Sequence, residues 1–273
     1  MPILSTDQVS ENWSVIASAY EEAFQGLSSQ FAAEVLKLLN LKPGERVIDV
    51  AAGTGAFSLL AARAGADVLA TDFAPGMVAR LRERIAAERL SCISAEEMDG
   101  QALAVADGSF DASVSILGLI FFPDIAKGIA ELRRVLRPAG RVGIVCWNKP
   151  EELDLMTLVV RSIKKIVPEF QPPAAPPTWA RLHGADLLSN QLRKARFQQV
   201  EVTTVTGTLR IESPQNFWSN FTSSAPPLAY LFNHLGPERT AAVGREYMAL
   251  LQAKSLDAVP TLRVEACIGI ATA

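Results

Sequence analysis

One short stretch constrains this chain more than any other: Val47-Ile48-Asp49-Val50-Ala51-Ala52-Gly53-Thr54-Gly55. Val47 to Val50 reads as a buried strand, β-branched apart from one acid. The residues after it are small. Ala51, Ala52, Gly53 and Gly55 leave bare backbone where a ligand can lie close, and glycine accepts the positive φ that a tight turn demands. Ala56 to Arg63 then reads as a helix, with Phe57, Leu60, Ala61 and Ala64 on one face. Strand, glycine turn and helix together set free N–H groups and a helix N-terminus beside a ligand. A nicotinamide fingerprint would carry a third glycine, and Ser58 stands at that position. A second anchor follows in Val68-Leu69-Ala70-Thr71-Asp72. Its acid comes close to the spacing of about 20 residues at which a carboxylate meets ribose hydroxyls.

These residues resemble the class I S-adenosylmethionine (SAM) methyltransferases, in particular the branch of ubiquinone/menaquinone C-methyltransferases and small-molecule O-methyltransferases. The family's first motif stands here as Asp49 to Gly55, with Ala51 in place of the first glycine. Further matches are Asp72, then Met98-Asp99-Gly100-Gln101-Ala102-Leu103, Asp107-Gly108-Ser109-Phe110-Asp111, and the run from Glu131 to Gly140. The resemblance extends over roughly residues 40 to 148. It implies an α/β fold: a Rossmann-like, seven-stranded, mostly parallel sheet in the order 3-2-1-4-5-7-6, with helices on both faces. It implies SAM as cofactor, held by Asp49, Ala51, Gly53, Gly55, Asp72, Met77, Asp99, Gly100 and Leu117. Asp99 would accept the adenine amine while the Gly100 N–H meets a ring nitrogen, a complementary donor–acceptor pair. Met77 reads equally well as a core methionine. Tyr20, on a helix ahead of the first strand, is the candidate to close over the cofactor, or it packs in the core.

The rest of the chain reads in order. Residues 7 to 40 form two helices, with Trp13, Ile16 and Tyr20 on one face and Phe31, Val35, Leu38 and Leu39 on another. A third strand spans 90 to 94 and a fourth 111 to 116. Asp124 caps a helix carrying Ile125, Ile129, Leu132 and Leu136, stopped by Pro138-Ala139-Gly140. Val142 to Trp147 is a central apolar strand. A helix at 151 to 167, a stiff connector at 171 to 177 and a helix at 185 to 195 follow. The alternating segments 200 to 211 and 264 to 271 are the last two strands. Between them lie Ser213-Pro214, which start a helix bearing Phe217, Trp218 and Phe221, and Gly236-Pro237, which open another with Val243, Tyr247, Leu250 and Leu251. The domain division is therefore an N-terminal helical cap at 1–40, a SAM-binding core at 41–212, a helical insertion or lid at 213–256, and the final core strand at 257–273. The alternative use of the insertion is a homodimer interface or extra packing.

Charge and composition exclude some functions. The formal net charge is −3, and no basic run exceeds Lys164-Lys165, so nucleic acid and anionic membrane are poor partners. Cys92, Cys146 and Cys267 are far apart, with no C-x-x-C and no histidine pair, so no metal is expected. No basic leader and no stretch of membrane-spanning length is visible, so the expected location is cytoplasmic. After the fourth strand, base-methylating enzymes carry an Asn/Asp-Pro-Pro-aromatic run; this chain has Leu117 to Phe122, all apolar apart from Gly118. The expected activity is methyl transfer to a small hydrophobic molecule at oxygen, carbon or nitrogen, by in-line displacement. Phe121, Trp147 and Trp218 are candidate acceptor contacts, and Tyr20, His183 and His234 are candidate bases. Two alternatives stand beside it: a non-catalytic SAM-binding protein, and a nicotinamide-dependent oxidoreductase.

Overall fold

The computed structural model describes residues 5–149, 153–171, 177–254 and 259–273. A single seven-stranded sheet runs in the order β3-β2-β1-β4-β5-β7-β6. The strands are β1 Arg46–Val50, β2 Asp67–Asp72, β3 Ile93–Glu97, β4 Phe110–Ile116, β5 Leu136–Trp147, β6 Gln198–Arg210 and β7 Thr261–Thr272. The first five pair in parallel; β7 enters antiparallel between β5 and β6. The strand order is the one the resemblance implied.

Period-two alternation explains the two-sided core. Val47, Val114, Val145 and Ile268 face one layer, while Ile48, Val50, Ile144, Cys146 and Cys267 face the other. The first layer includes α2 (Ala17–Leu39), α3 (Ser58–Arg63), α4 (Pro75–Glu88) and α6 (Asp154–Ile166); the second is α5 (Ile125–Arg134) and α7 (Gly184–Lys194). Helix α2 lies so close to the sheet that only glycine fits beneath it. A Cβ at Gly207 would stand 2.6 Å from Leu27 Cδ1, and one at Gly143 would stand 2.8 Å from Val35 Cγ1. A short helix α1 (Ser10–Val15) precedes α2.

Several sequence expectations shift. β3 begins at Ile93, three residues later than expected, because Leu90 closes the end of α4 by donating its N–H to the Ile85 carbonyl. Leu136 does not extend the α5 stripe. The helix ends at Arg134 and Leu136 pairs with Phe110 in the sheet. In α3 the buried face is rotated: Leu59 and Ala62 are buried and Ala64 is exposed. Residues 151, 152 and 172–176 of the expected helix and connector lie outside the described residues, as do 255–258 at the end of the insertion.

The insertion comprises α8 (Pro214–Ser223), α9 (Pro226–Leu235) and α10 (Pro237–Lys254). Proline opens each, where its missing N–H costs nothing. Their core is aromatic: Phe221 and Tyr247 are fully buried, and Trp218 lies 5.2 Å from both Phe232 and Tyr247. Trp218 Nε1 donates to the Thr240 carbonyl at 3.1 Å. α8 packs on α2 through Phe24 and Phe221, α10 packs on α6, and α9 touches the N-terminal turn. Cutting the insertion out would strip α2 and α6 of apolar cover, so a shortened chain is expected to lose stability along with any function. Among the described residues no helix is long and apolar enough to cross a membrane.

Candidate active site

The carboxyl ends of β1, β2 and β4 meet at one place, and the chain turns sharply there. After Val50 the backbone enters the left-handed region at Ala51 (φ 57°), Gly53 (φ 56°) and Gly55 (φ 89°). For Ala51 this costs about 1 kcal/mol, since its Cβ crowds the following carbonyl. The substitution of alanine for the first glycine of the motif is thus a strained one. At the end of β4, Leu117 is also left-handed (φ 58°), and next to it a Cβ on Gly118 would sit 2.4 Å from the Ala51 Cβ. The left-handed Ala51 therefore meets the neighbour of the left-handed Leu117 across the strand ends. Strain kept by surrounding structure is characteristic of ligand sites.

Two buried acids organise the turn. Asp72 accepts the Gly53 N–H through Oδ2 and the Ala74 N–H through Oδ1, both at 2.9 Å. Asp49 lies beneath the turn and accepts the Ser58 hydroxyl at 2.5 Å, while its Oδ1 has no hydrogen-bond partner. Burial pushes the Asp49 carboxyl up to about 7, against the Ser58 hydrogen bond, and Asp72 adds to the rise. Burial likewise pushes Asp72 up to about 6, against the N–H groups of Ala74 and Gly53. Both values exceed the 3.8 of an unburied aspartate, so the folded chain binds these protons more tightly than the unfolded one. Their linkage stabilises the fold at low pH and is lost as pH rises from about 4 through about 7. Asp49→Asn should therefore gain stability relative to the parent at pH 8 and lose that advantage by pH 4. Denaturant melts of the two proteins at these pH values check this, and a difference independent of pH would contradict it.

Around these acids is a cavity of about 700 Å³, counting its mouth. Ala51, Gly53, Asp72, Met77, Asp99, Gly100 and Leu117 all line it. Gly100 is required by close packing: a Cβ there would lie 2.4 Å from Phe122 Cζ and 2.7 Å from Val50 Cγ1. Asp99 caps its own loop by accepting the Gln101 N–H at 2.8 Å, and its other oxygen stays available. Asp49 and Gly55 do not line the cavity. Asp49 is turned under the helix, and Gly55 serves packing, since a Cβ there would lie 2.3 Å from Leu81 Cδ1.

The N-terminal segment covers the cavity. Asp7, Gln8, Trp13 and Tyr20 line it from above. Trp13 stands edge-on to Phe121 at 4.9 Å and donates its indole N–H to the Asp7 carbonyl at 2.8 Å. The buried Asp7 carboxylate accepts from the hydroxyls of Ser5 and Thr178. Ser14 accepts the Gly76 N–H at 3.1 Å, which seats α1 on the start of α4. Tyr20 is held as a proton donor. Burial raises its phenol, the Ser28 hydroxyl opposes this, and the carboxylates of Asp72 and Asp49 raise it further. That environment disfavours Tyr20 as a base.

Of the candidate acceptor contacts, Phe121 lines the cavity; Trp147 and Trp218 do not. Trp147 is edge-on to Phe31 of α2 at 6.2 Å, because β7 pairs against this end of β5 and α2 covers it. Trp218 is taken up by the core of the insertion. His183 and His234 are also elsewhere: the first sits at the start of α7 with Nδ1 2.7 Å from the Ala180 carbonyl, the second lies tilted against Tyr230 with ring centroids 4.0 Å apart. No described residue of the insertion lines the cavity; the described segment above it is 5–20. The lining residues that sequence reasoning did not single out are mostly chain neighbours of motif positions: Phe73, Met98, Gln101, Ile116, Gly118 and Pro123. Asp7 and Gln8 carried no signal. Among the described residues the lining holds three carboxylates and no lysine, arginine or histidine, and no group of three metal-ligating side chains gathers anywhere.

The family model for the methyltransferase domain matches residues 48–144. This segment is therefore similar to a methyltransferase domain. Rv1405c of Mycobacterium tuberculosis is 39% identical over 139 residues, covering 51% of this chain and 50% of that protein. The demethylmenaquinone methyltransferase of Corynebacterium kroppenstedtii is 32% identical over 143 residues, covering 52% of this chain and 59% of that one. The chain thus spans about half the length of the curated relatives it matches. Solved structures of similar fold include the [4+2]-cyclase SpnF (TM-score 0.63, 19% identity, 99% of this chain and 97% of that one). Another is phosphoethanolamine N-methyltransferase 2 of Haemonchus contortus with SAM bound (TM-score 0.62, 19% identity, 99% of this chain and 60% of that one).

Proposed function

We propose that the protein transfers a methyl group from SAM to a small, largely apolar molecule that carries no negative charge. The observation that supports this best is the lining of the cavity. It combines the motif positions Gly53, Asp72, Asp99 and Gly100 with Trp13, Phe73, Phe121 and Phe122, and among the described residues it has no cation to neutralise an anionic acceptor.

The residues present fit the cofactor. Asp72 has carboxylate lone pairs beyond the two backbone N–H groups it accepts, so ribose hydroxyls can share it. Asp99 and the Gly100 N–H match the edge of an adenine. The bare backbone at Ala51 and Gly53 admits the amino-acid end. Bound SAM supplies an electrophilic methyl group on a cationic sulfur. The chain's part is to hold both reactants in line and keep water out, which accounts for much of the acceleration of such displacements. Trp13, Tyr20 and Phe121 supply the apolar roof and wall. Tyr20, kept protonated, can orient an acceptor oxygen or nitrogen by donating to it. We assign acceptor selection to this roof, and to the insertion the task of backing it through α2 and the N-terminal turn.

The test is turnover. Purified protein with methyl-labelled SAM and a panel of paired acceptors, each neutral phenol, quinol or amine beside its carboxylated or phosphorylated counterpart, should label only uncharged or cationic members. Labelling confined to the anionic members would contradict the proposal. A second reading has its own support: SpnF, of similar fold, is a cyclase, so the fold alone does not dictate methyl transfer. SAM binding with no labelled product from any acceptor in the panel or in cell extract would favour that reading.

A further inference from the structure

Thr54 stands between the two glycines of the turn, is 1% exposed, and does not line the cavity. Yet its hydroxyl and its carbonyl are both held, and from outside the motif. Its hydroxyl donates to Gln25 Oε1 at 2.8 Å. Its carbonyl accepts from Arg84 Nη1 at 2.6 Å. Gln25 belongs to α2 and Arg84 to α4, and the two helices are themselves joined here. Glu21, one turn before Gln25, takes Arg80 Nε at 2.5 Å through one carboxylate oxygen and lies 3.5 Å from Arg84 Nε through the other. Tyr20, adjacent to Glu21, reaches over the turn, with its Cε1 3.6 Å from the place a Gly53 Cβ would take.

The turn needs such support. Three of its residues are left-handed, and Asp72 at the Gly53 N–H is joined by two backbone bonds, Ala52 N–H to the Thr71 carbonyl and Gly55 N–H to the Ala52 carbonyl, none of which holds the Thr54 hydroxyl or carbonyl. Asp72 stands on one side of the turn. Gln25 holds the hydroxyl and Arg84 the carbonyl of the next residue, Thr54. We propose that Gln25 and Arg84 are positioning residues for the SAM site: they fix the Thr54 peptide, and so keep the backbone of Ala51 and Gly53 in the shape that receives the cofactor. The same brace makes the cap and the turn one mechanical unit, because Gln25 and Tyr20 lie on one helix. A cap that lifts must let go of Thr54. The ligand in this inference rests on the SAM reading above.

The interaction has a defined polarity that mutation can read. Gln25 accepts and Thr54 donates. Gln25→Leu removes the acceptor, Thr54→Val removes the donor, and Gln25→Glu keeps an acceptor. SAM dissociation constants by calorimetry and melting temperatures are measured for all three and for the Gln25→Leu/Thr54→Val double variant. Each of the first two single variants should weaken SAM binding about five- to tenfold, the worth of one buried hydrogen bond. The double variant should be no worse than either single, since both remove the same bond. Gln25→Glu should bind within about threefold of the parent, in keeping with its retained acceptor. Melting temperatures alone would report a merely structural role; a loss of affinity that Gln25→Glu restores would not follow from one. Parental affinity in Gln25→Leu, or losses that add fully in the double variant, would overturn the proposal. If the parent itself binds no SAM, the cofactor reading fails and the brace is judged by amide exchange at residues 51–55. Faster exchange there in Gln25→Leu upholds it, and unchanged exchange overturns it.

Discussion

Asp72→Ala should weaken SAM binding about tenfold to hundredfold, the value of charge-assisted hydrogen bonds worth roughly 1.5–3 kcal/mol. The upper end is expected, because the carboxylate does two things. It offers lone pairs to the ribose, and it anchors the Gly53 and Ala74 N–H groups, which lose their acceptor in the variant. Asp72→Asn keeps one carbonyl oxygen and should fall between parent and alanine. Because burial raises this carboxyl to about 6, acid should mimic the mutation: SAM affinity should decline as pH falls through about 6 in the parent and show much less pH dependence in Asp72→Ala. Calorimetry across pH 5 to 8 checks both statements. Unchanged affinity in a folded Asp72→Ala protein would remove Asp72 from the site.

Gly53→Val should abolish measurable SAM binding and leave the fold standing. Gly53 sits at φ 56°, where a β-branched residue is strained, so stability should fall by about 1–2 kcal/mol. The space itself is open: the nearest atom to an added Cβ is Tyr20 Cε1 at 3.6 Å, an ordinary contact. The branches of valine would enter the cavity that the cofactor needs. Gly55→Val makes the contrast. There the Cβ meets Leu81 Cδ1 at 2.3 Å, so that variant should lose folded protein rather than ligand affinity. A Gly53→Val protein that melts near the parent and binds SAM normally would show Gly53 to be only a turn residue.

The strands were legible because their signals are local and periodic, while their order in the sheet came from the family resemblance. Strand, turn and helix repeat along the first half of the chain, and each motif acid sits at a strand end. Asp72, Asp99 and Gly100 line the cavity for that reason. The errors have a common physical origin: they concern which element covers which. Trp147 ends a central strand, where a substrate could lie, but α2 packs over that end through Phe31. Trp218 looked like part of a lid, yet α8, α9 and α10 bury it among themselves. Such choices depend on contacts between distant segments, as when Thr178 meets Asp7, and no spacing in the sequence encodes them. Ala51 shows the converse. Its identity was plain, but its positive φ, and the cost of holding it, belong to the folded turn.

The central claim is that this cavity is a SAM site, and direct titration tests it most simply. The parent protein is titrated by calorimetry with SAM and, separately, with NADH. Saturable binding of one SAM per chain is expected, weakened in Asp72→Ala, with no saturable binding of NADH. Tight NADH binding with no heat from SAM would contradict it.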